Sequence, residues 1–206
     1  MTRRATASAS SGTGRMHSPE QQDRLGTELL QLARGSIEHG LAHGEPLPVR
    51  CDQLPVALAE LRATFTTLRL ADELRGCCGT LEAARPLAAD VVHSAFQAAF
   101  RDPRFAPLRA EELGTIRLEV AVLSPPVPLP VADEADLLDR LRPGIDGLII
   151  HASGRRATFL PKVWESLPEP GQFLVQLRKK CGLPGDYWSE RLEFERYTAT
   201  SYAEAE

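Results

Sequence analysis

Apolar and polar residues alternate most regularly at 115–123, where the sequence reads TIRLEVAVL. This period of two predicts a β-strand with one buried face, and it places Arg117 and Glu119 together on the opposite, polar face. A surface ladder of paired charges is the simplest interpretation of that polar face. The residues predicted to be buried are Ile116, Leu118, Val120 and Val122.

Two longer segments repeat apolar residues at helical spacing. The first begins at residues 18–21, which supply a serine N-cap, a first-turn proline and a capping-box glutamine, and its period fails near Gly40. The second begins at Pro86 and ends before Asp102. Shorter helices are predicted at 135–141 and 173–181.

The remaining apolar runs are short and separated by turns. A hairpin is predicted from 63–70 and 74–81 around a polar turn, and a second from 148–151 and 157–160. A strand at 192–197 closes the chain. Since helices and strands alternate irregularly and several strand pairs are hairpins, the predicted class is α+β, a mainly antiparallel sheet flanked by helices.

Length and composition indicate one compact domain. The chain has 206 residues, of which 43% are hydrophobic and 25% charged, as in an ordinary globular protein. Residues 1–17 are rich in Ser, Thr, Ala, Gly and Arg and lack a core, so they are predicted to be a disordered tail. The ordered domain is predicted to span 18–202.

The charge and the cysteines exclude several classes of protein. With 24 basic and 28 acidic side chains the net charge is −4, which argues against a general nucleic-acid binder. No apolar run is long enough to span a bilayer, and the basic N-terminus lacks the apolar core of a secretory signal. A cytoplasmic location with four reduced cysteines is therefore predicted. Without a C-x-x-C pair, neither a metal site nor a cofactor is predicted.

Cys77 is the candidate for chemistry, within the segment LRGCCGTL at 74–81. Arg75, two residues away in a strand, shares its face and would favour the thiolate, which is the nucleophilic form of cysteine. Arg75 either faces a cleft in this way or simply pairs with a surface acid. Gly76 and Gly79 would let backbone N–H groups approach a ligand closely. Alternatively, the Gly-Cys-Cys-Gly segment supplies small side chains that pack where two lobes of the protein touch, since free cysteines are usually buried and inert.

Three further residues carry open alternatives. Cys78 points away from Cys77 and is predicted to pack in the core. Thr80 falls on the face opposite Arg75, where its hydroxyl serves structure or ligand binding equally well. Asp146 lies in the segment Gly144-Ile145-Asp146-Gly147, where it either stabilises its own turn or lines a ligand loop.

Several segments together resemble one known family. LRGCCGTL is similar to the LRGCIGT signature of the AMMECR family, also called AmmeMemoRadiSam system protein A, with Cys78 where that family usually has isoleucine. Further matching segments follow in the family's order, and the resemblance covers about Pro19 to Thr200. These segments lie at 102–105, 118–126, 144–150, 157–161 and 182–184.

The resemblance implies a fold of two lobes intertwined in sequence. A larger antiparallel sheet flanked by helices would face a smaller β lobe, built here from about 57–82 and 185–202. The signature segment would lie near the cleft between them.

The resemblance also implies partners, a Memo-like protein and a radical-SAM enzyme that share a modification pathway. Two functions are then open. The chain is a cysteine-dependent enzyme, in which Cys77 attacks a small molecule or a protein side chain and Arg75 binds its anion. Alternatively, it is a non-catalytic binding or scaffold module that presents a substrate to those partners, since no His or acid is close in sequence to Cys77.

Deletion of residues 2–17 tests the predicted tail. A segment that packs against nothing contributes no stability, so the melting temperature is expected to stay within about one degree of the full chain's. Thermal unfolding followed by circular dichroism measures this. A drop of several degrees would show that the tail packs on the domain.

Overall fold

The computed structural model describes residues 18–205, so the predicted tail at 1–17 lies outside the described residues. Helices α1 to α5 span Pro19–His43, Val56–Ala59, Leu87–Phe100, Glu134–Arg140 and Pro170–Lys180. Strands β1 to β8 span Thr64–Leu70, Glu73–Gly79, Ile116–Leu123, Val127–Pro128, Gly147–Ala152, Arg155–Phe159, Glu193–Tyr197 and Ala199–Ala203. Short 3-10 helices lie at Cys51–Gln53, Ala110–Glu112 and Pro161–Glu165. None of the helices within 18–205 is both long and apolar enough to cross a membrane.

Within residues 18–205, the strands form two sheets of four strands each. The first has the order β2-β1-β3-β8 and the second the order β4-β7-β5-β6, and all the strand pairs are antiparallel. Helices α1 and α3 pack on the first sheet, and α5 packs against β6 of the second. This arrangement confirms the predicted α+β class with antiparallel sheet.

The core of the first sheet lies between the strands and helices α1 and α3. Leu118 and Val120 of β3 are almost completely buried there, beside Leu29 and Ile37 of α1. The alternation predicted for β3 is therefore confirmed for Ile116, Leu118 and Val120. Val122 is only half-buried, at the margin of the same core.

Helix α1 begins as its sequence predicts, because the Ser18–Gln21 capping box is formed in both directions. It ends later than predicted. Gly40 lies inside the helix and does not end it. Its lack of a side chain leaves room for the ring of Phe100. The helix ends at His43, where Gly44 adopts the left-handed conformation with φ 75°.

A second core fills the space between the second sheet and helices α4 and α5. Its centre is the stacked pair Trp164 and Phe173, whose ring centroids are 3.8 Å apart with an interplanar angle of 4°. Leu148 and Ile150 of β5 are fully buried against this pair's cluster. This second core fixes the 3-10 helix at 161–165, which carries Trp164.

The chain passes from one sheet to the other at Thr198, between β7 and β8. The backbone N–H of Ser124 donates to the Thr198 carbonyl at 2.9 Å, and the Thr198 N–H donates to Ser124 Oγ at 3.0 Å. Tyr197 beside this crossing is buried, and its burial raises the pKa of the phenol to about 12. A small third cluster around Tyr197, Ile149 and Leu123 joins the two cores.

The C-terminal part of the chain differs from the prediction of a single closing strand. Strand β8 follows β7 and pairs with β3, so it shares the first sheet with β1 and β2, whereas β7 lies in the second sheet. The division of 18–202 into a larger lobe and a small lobe from about 57–82 and 185–202 stays a prediction.

Substitution of Gly76 by alanine tests the packing of β2 on α3. A Cβ at Gly76 would overlap the carbonyl oxygen of Ala98, which belongs to the α3 backbone and cannot swing away. We expect Gly76→Ala to lower the free energy of unfolding by about 1–3 kcal/mol, measured by urea denaturation. Gly114→Ala is the matched control, because Gly114 has no atoms near its Cβ position. Equal effects of the two substitutions would contradict this packing.

Candidate functional site

A cleft of about 570 Å³ opens between the two sheets. One wall is the outer face of the first sheet, from β1, β2, β3 and β8. The other wall is formed by the loop before β5 and the 3-10 helix at 161–165. Cys77 lines this cleft, as the prediction of a signature segment near a cleft required.

Three polar side chains form a row across the first wall. Thr67 of β1 lies directly opposite Cys77 of β2 on one side and Glu119 of β3 on the other, and all three line the cleft. Thr67 Oγ1 donates a hydrogen bond to Cys77 Sγ at 3.4 Å. This hydrogen bond orients the half-buried thiol on β2.

Lys162 reaches the row from the opposite wall. Its Nζ lies 2.8 Å from Glu119 Oε2, so this ion pair spans the cleft. Glu119 was predicted to belong to a surface ladder of paired charges with Arg117 beside it. Its ion-pair partner in the structure is Lys162, from the opposite wall of the cleft. Neither Thr67 nor Lys162 was predicted as a site residue.

Apolar side chains complete the cleft. Phe65 and Leu160 belong to the small cluster that joins the two cores, and Trp164 projects from the second core. The indole N–H of Trp164 donates to the carbonyl of Asp146 at 2.7 Å. The walls are thus mainly apolar, with one polar row and two further polar residues, Glu165 and Ser201, in the lining. Apolar walls with a few polar groups are typical of small-molecule sites.

Asp146 stabilises the loop that forms part of the second wall of the cleft. Its carboxylate is fully buried and accepts hydrogen bonds from the Arg142 backbone N–H at 3.0 Å and from Arg142 Nη2 at 2.6 Å. Pro143 and Gly144, which these bonds hold in place, line the cleft, whereas Asp146 itself does not. The structure therefore places Asp146 in the turn-stabilising position, one of its two predicted alternatives.

Arg75 does not share the face of Cys77, and the expectation that it would is wrong. Leu68 lies opposite Gly76 but Arg69 lies opposite Leu74, so Arg75 is the extra residue of a β-bulge. The bulge turns Arg75 to a separate depression beside Phe105 and Glu112. There it forms a two-pronged ion pair with Glu112, at 2.7 and 3.0 Å, which lowers the pKa of that carboxyl.

Gly76, Gly79 and Thr80 have local contacts. Gly76 packs on α3, and a side chain at Gly79 would overlap the Thr64 carbonyl and the Phe65 ring. Thr80 Oγ1 accepts a hydrogen bond from the Glu82 N–H at 3.0 Å in the following turn. The structure does not bring these residues to the cleft lining with Cys77, and their predicted ligand role stays a prediction.

Cys78 faces the opposite side of β2 from Cys77 and packs against the first core, as alternation predicts. Burial raises the pKa of its thiol. Within residues 18–205, no group of three or more His, Cys, Asp and Glu side chains is arranged to hold a metal ion.

The edge of β2 at Cys77 is closed by side chains of the 102–105 segment, DPRF. The Cys77 N–H donates to Asp102 Oδ2 at 2.9 Å, and Arg104 Nη2 donates to the Cys77 carbonyl at 3.4 Å. Hydrogen bonds from the Arg104 side chain, aided by the Cys77 N–H, hold the pKa of the Asp102 carboxyl well below its ordinary range. We call these two residues the Asp102–Arg104 clamp. Only the family resemblance pointed to this segment, since a loop Asp-Pro-Arg-Phe has no chemical signal of its own.

The protein is therefore of the α+β class, with two antiparallel sheets, helices on their outer sides and a cleft between the sheets that Cys77 lines. The chain belongs to the AMMECR1 family, whose model matches residues 30–202. The resemblance noted in the sequence is thereby confirmed.

Relatives in archaea are similar over nearly the whole chain. A protein of Methanothermobacter thermautotrophicus is 36% identical over 194 residues, which cover 91% of this chain and 98% of that protein. A protein of Methanopyrus kandleri is 37% identical over 172 residues, covering 79% and 80%. The crystal structure of an uncharacterized protein from Pyrococcus horikoshii has a TM-score of 0.78 at 32% identity, covering 88% of this chain and 92% of that one.

Substitution of Asp102 by asparagine tests the clamp through its pH dependence. The unfolded carboxyl binds a proton near its ordinary pKa of about 4, whereas the folded one does so only at lower pH. The clamp therefore stabilises the fold fully above about pH 5 and loses this effect as the pH falls through the depressed pKa. Asp102→Asn should cost about 1–3 kcal/mol at pH 7, and the difference from wild type should shrink below about pH 4.

Urea denaturation at pH 7, 5 and 3 measures this difference. Asp139→Asn is the control, because Asp139 is exposed and has no ion pair among the described residues. A cost for Asp102→Asn that is the same at pH 3 as at pH 7 would argue against an ionised clamp.

Proposed function

We propose that this protein binds a small molecule or a protein side chain in the cleft between its sheets and acts on it through Cys77, as a cysteine-dependent enzyme. One observation carries the proposal. The Cys77 side chain lines the cleft on a rigid strand, in a row with Thr67 and Glu119. A reactive group held in this way is preorganised for a ligand that fills the apolar part of the cleft.

The chemistry proposed for Cys77 is nucleophilic group transfer. Sγ forms a bond to an electrophilic carbon of the substrate, the bond from that carbon to its leaving group breaks, and the thiol proton departs with the leaving group. The hydrogen bond from Thr67 Oγ1 to Sγ orients the sulfur on the cleft face of β2. Arg75 has no part in this step, since it pairs with Glu112 outside the cleft.

A second candidate is a non-catalytic binding module. Among the described residues Thr67 is the recorded hydrogen-bonding partner of Cys77 Sγ, and no histidine or carboxylate bonds to the sulfur as a general base would. In this alternative the cleft holds a substrate and presents it to the Memo-like and radical-SAM partners that the family resemblance implies. Both candidates use the same cleft, and they differ in whether the thiol reacts.

Alkylation of Cys77 by iodoacetamide separates the two candidates. We expect Cys77 to react faster at pH 7 than the exposed thiol of Cys51 in the same sample and than free cysteine. Thr67→Val should slow it by about fivefold, the equivalent of about 1 kcal/mol for one lost hydrogen bond to Sγ. Rates are measured by mass spectrometry, with fragmentation of the peptide after Arg75 to distinguish Cys77 from Cys78.

Thr200→Val serves as the control, because Thr200 is an exposed threonine of β8 outside the cleft lining. A Cys77 rate no higher than that of free cysteine would reject the enzyme in favour of the binding module. Cys77→Ala should leave the unfolding free energy within about 1 kcal/mol of wild type, since only a half-buried thiol is removed.

A further inference from the structure

We infer that Arg69 and Arg117 form an anion-binding site beside the row of Cys77, Thr67 and Glu119, and that it binds the phosphate group of a small phosphomonoester. This inference rests on the proposed function of the cleft, because it names the class of substrate that would reach Cys77. The two residues are called the arginine pair below.

The strand register sets the position of the arginine pair. Arg69 of β1 and Arg117 of β3 are directly opposite each other, and both alternate to the same face as Thr67 and Glu119. They lie two residues further along their strands, which is about 7 Å at 3.3 Å per residue. A substrate a few bonds long therefore spans the distance from the arginine pair to the polar row.

Two cations directly opposite each other on adjacent strands repel, and such a pair destabilises a sheet. Among residues 18–205, no acid forms an ion pair with either arginine. Glu119, the acid nearest along the strand on this face, is paired with Lys162. Arg69 Nη1 donates to the carbonyl of Asp72 at 2.8 Å, a neutral partner, and exposed Arg117 forms no ion pair with a described residue.

A phosphate dianion suits this arrangement. Each guanidinium offers a planar set of donors that binds two phosphate oxygens at once, and two negative charges match the two positive ones. The hydrogen bond to Asp72 uses one nitrogen of Arg69 and leaves others free. The apolar surface of Phe65, on the far side of the polar row, would take the uncharged body of the same ligand.

Titration with inorganic phosphate, followed by NMR chemical shifts of backbone amides at low ionic strength, tests the site directly. Saturable shifts should centre on the strands that carry the arginine pair. Arg69→Gln/Arg117→Gln should weaken binding at least tenfold, whereas Arg50→Gln, which removes an exposed arginine of the connector after α1, should not. No saturable shift in wild type, or equal binding by the double variant, would overturn the inference.

A second experiment compares an anionic with a neutral alkylating agent. Iodoacetate carries one negative charge and iodoacetamide carries none. The rate with iodoacetate divided by the rate with iodoacetamide therefore reports the local preference for anions at Cys77. The same ratio at Cys51 gives the reference value for a thiol without an anion site. We expect the Cys77 ratio to exceed the Cys51 ratio by roughly tenfold at low salt and to fall to it in the double variant. A raised ratio that survives in Arg69→Gln/Arg117→Gln would assign the effect to Lys162 and overturn the arginine pair.

The two experiments distinguish a failure of the proposed enzyme from a failure of the phosphate site. A Cys77 that reacts with neither reagent would refute the enzyme, while the phosphate titration would still decide the anion site. Conversely, fast reaction with iodoacetamide and no preference for iodoacetate would support the enzyme and reject the phosphate site.

Discussion

The hydrogen bonds between Ser124 and Thr198 fix the point where β7 continues into β8 and the chain changes sheets. Each sheet has its own core, and the chain crosses between the sheets both at 124–126 and at Thr198. The reciprocal bonds, with Tyr197 and Ile149 buried beside them, hold the first sheet's outer face opposite the 3-10 helix at 161–165. The cleft, with the Glu119–Lys162 ion pair across it, lies beside this crossing, and Ala199 at the start of β8 is part of its lining.

Near the cleft, and on the side of β2 away from it, ion pairs with buried or half-buried members position other residues. Asp102 with Arg104, Asp146 with Arg142, and Arg75 with Glu112 each join a buried or half-buried group to an opposite charge. A buried charge without its partner would be costly, so each pair also determines the conformation of its loop. Two of these pairs border the site, since one holds the backbone of Cys77 and the other the loop that carries Pro143 and Gly144.

Sequence patterns predicted what depends on neighbours in the chain. Alternation in β3 identified its buried face, and the residues at 18–21 identified the start of α1, because both signals are local. Strand β8 escaped prediction because its sequence, ATSYA, has no apolar alternation. It is held by pairing with β3, and its Tyr202 packs against Gly26, where the absence of a side chain on α1 makes room for the ring.

In the candidate site, too, residues with a local signal in the sequence were predicted, and those brought together by strand pairing were not. Cys77 was recognised from its own segment, with glycines on either side, but Arg75 was placed on the wrong face because a one-residue bulge reverses alternation and leaves no trace in composition. Thr67 and Glu119 became neighbours of Cys77 only through the registers of β1 with β2 and β3. Lys162 comes from the second sheet's side of the cleft.

The clamp on β2 adds a physical reason for the position of Cys77. An edge strand has unpaired backbone groups, and here the Asp102–Arg104 clamp occupies the N–H and carbonyl of Cys77 as a neighbouring strand would. With its backbone bonded on that side and its side chain bonded to Thr67 on the other, Cys77 has little freedom to turn its thiol away from the cleft. The clamp thus closes the edge of β2 at the same residue whose side chain lines the cleft, so the 102–105 segment and Thr67 together set the orientation of Cys77.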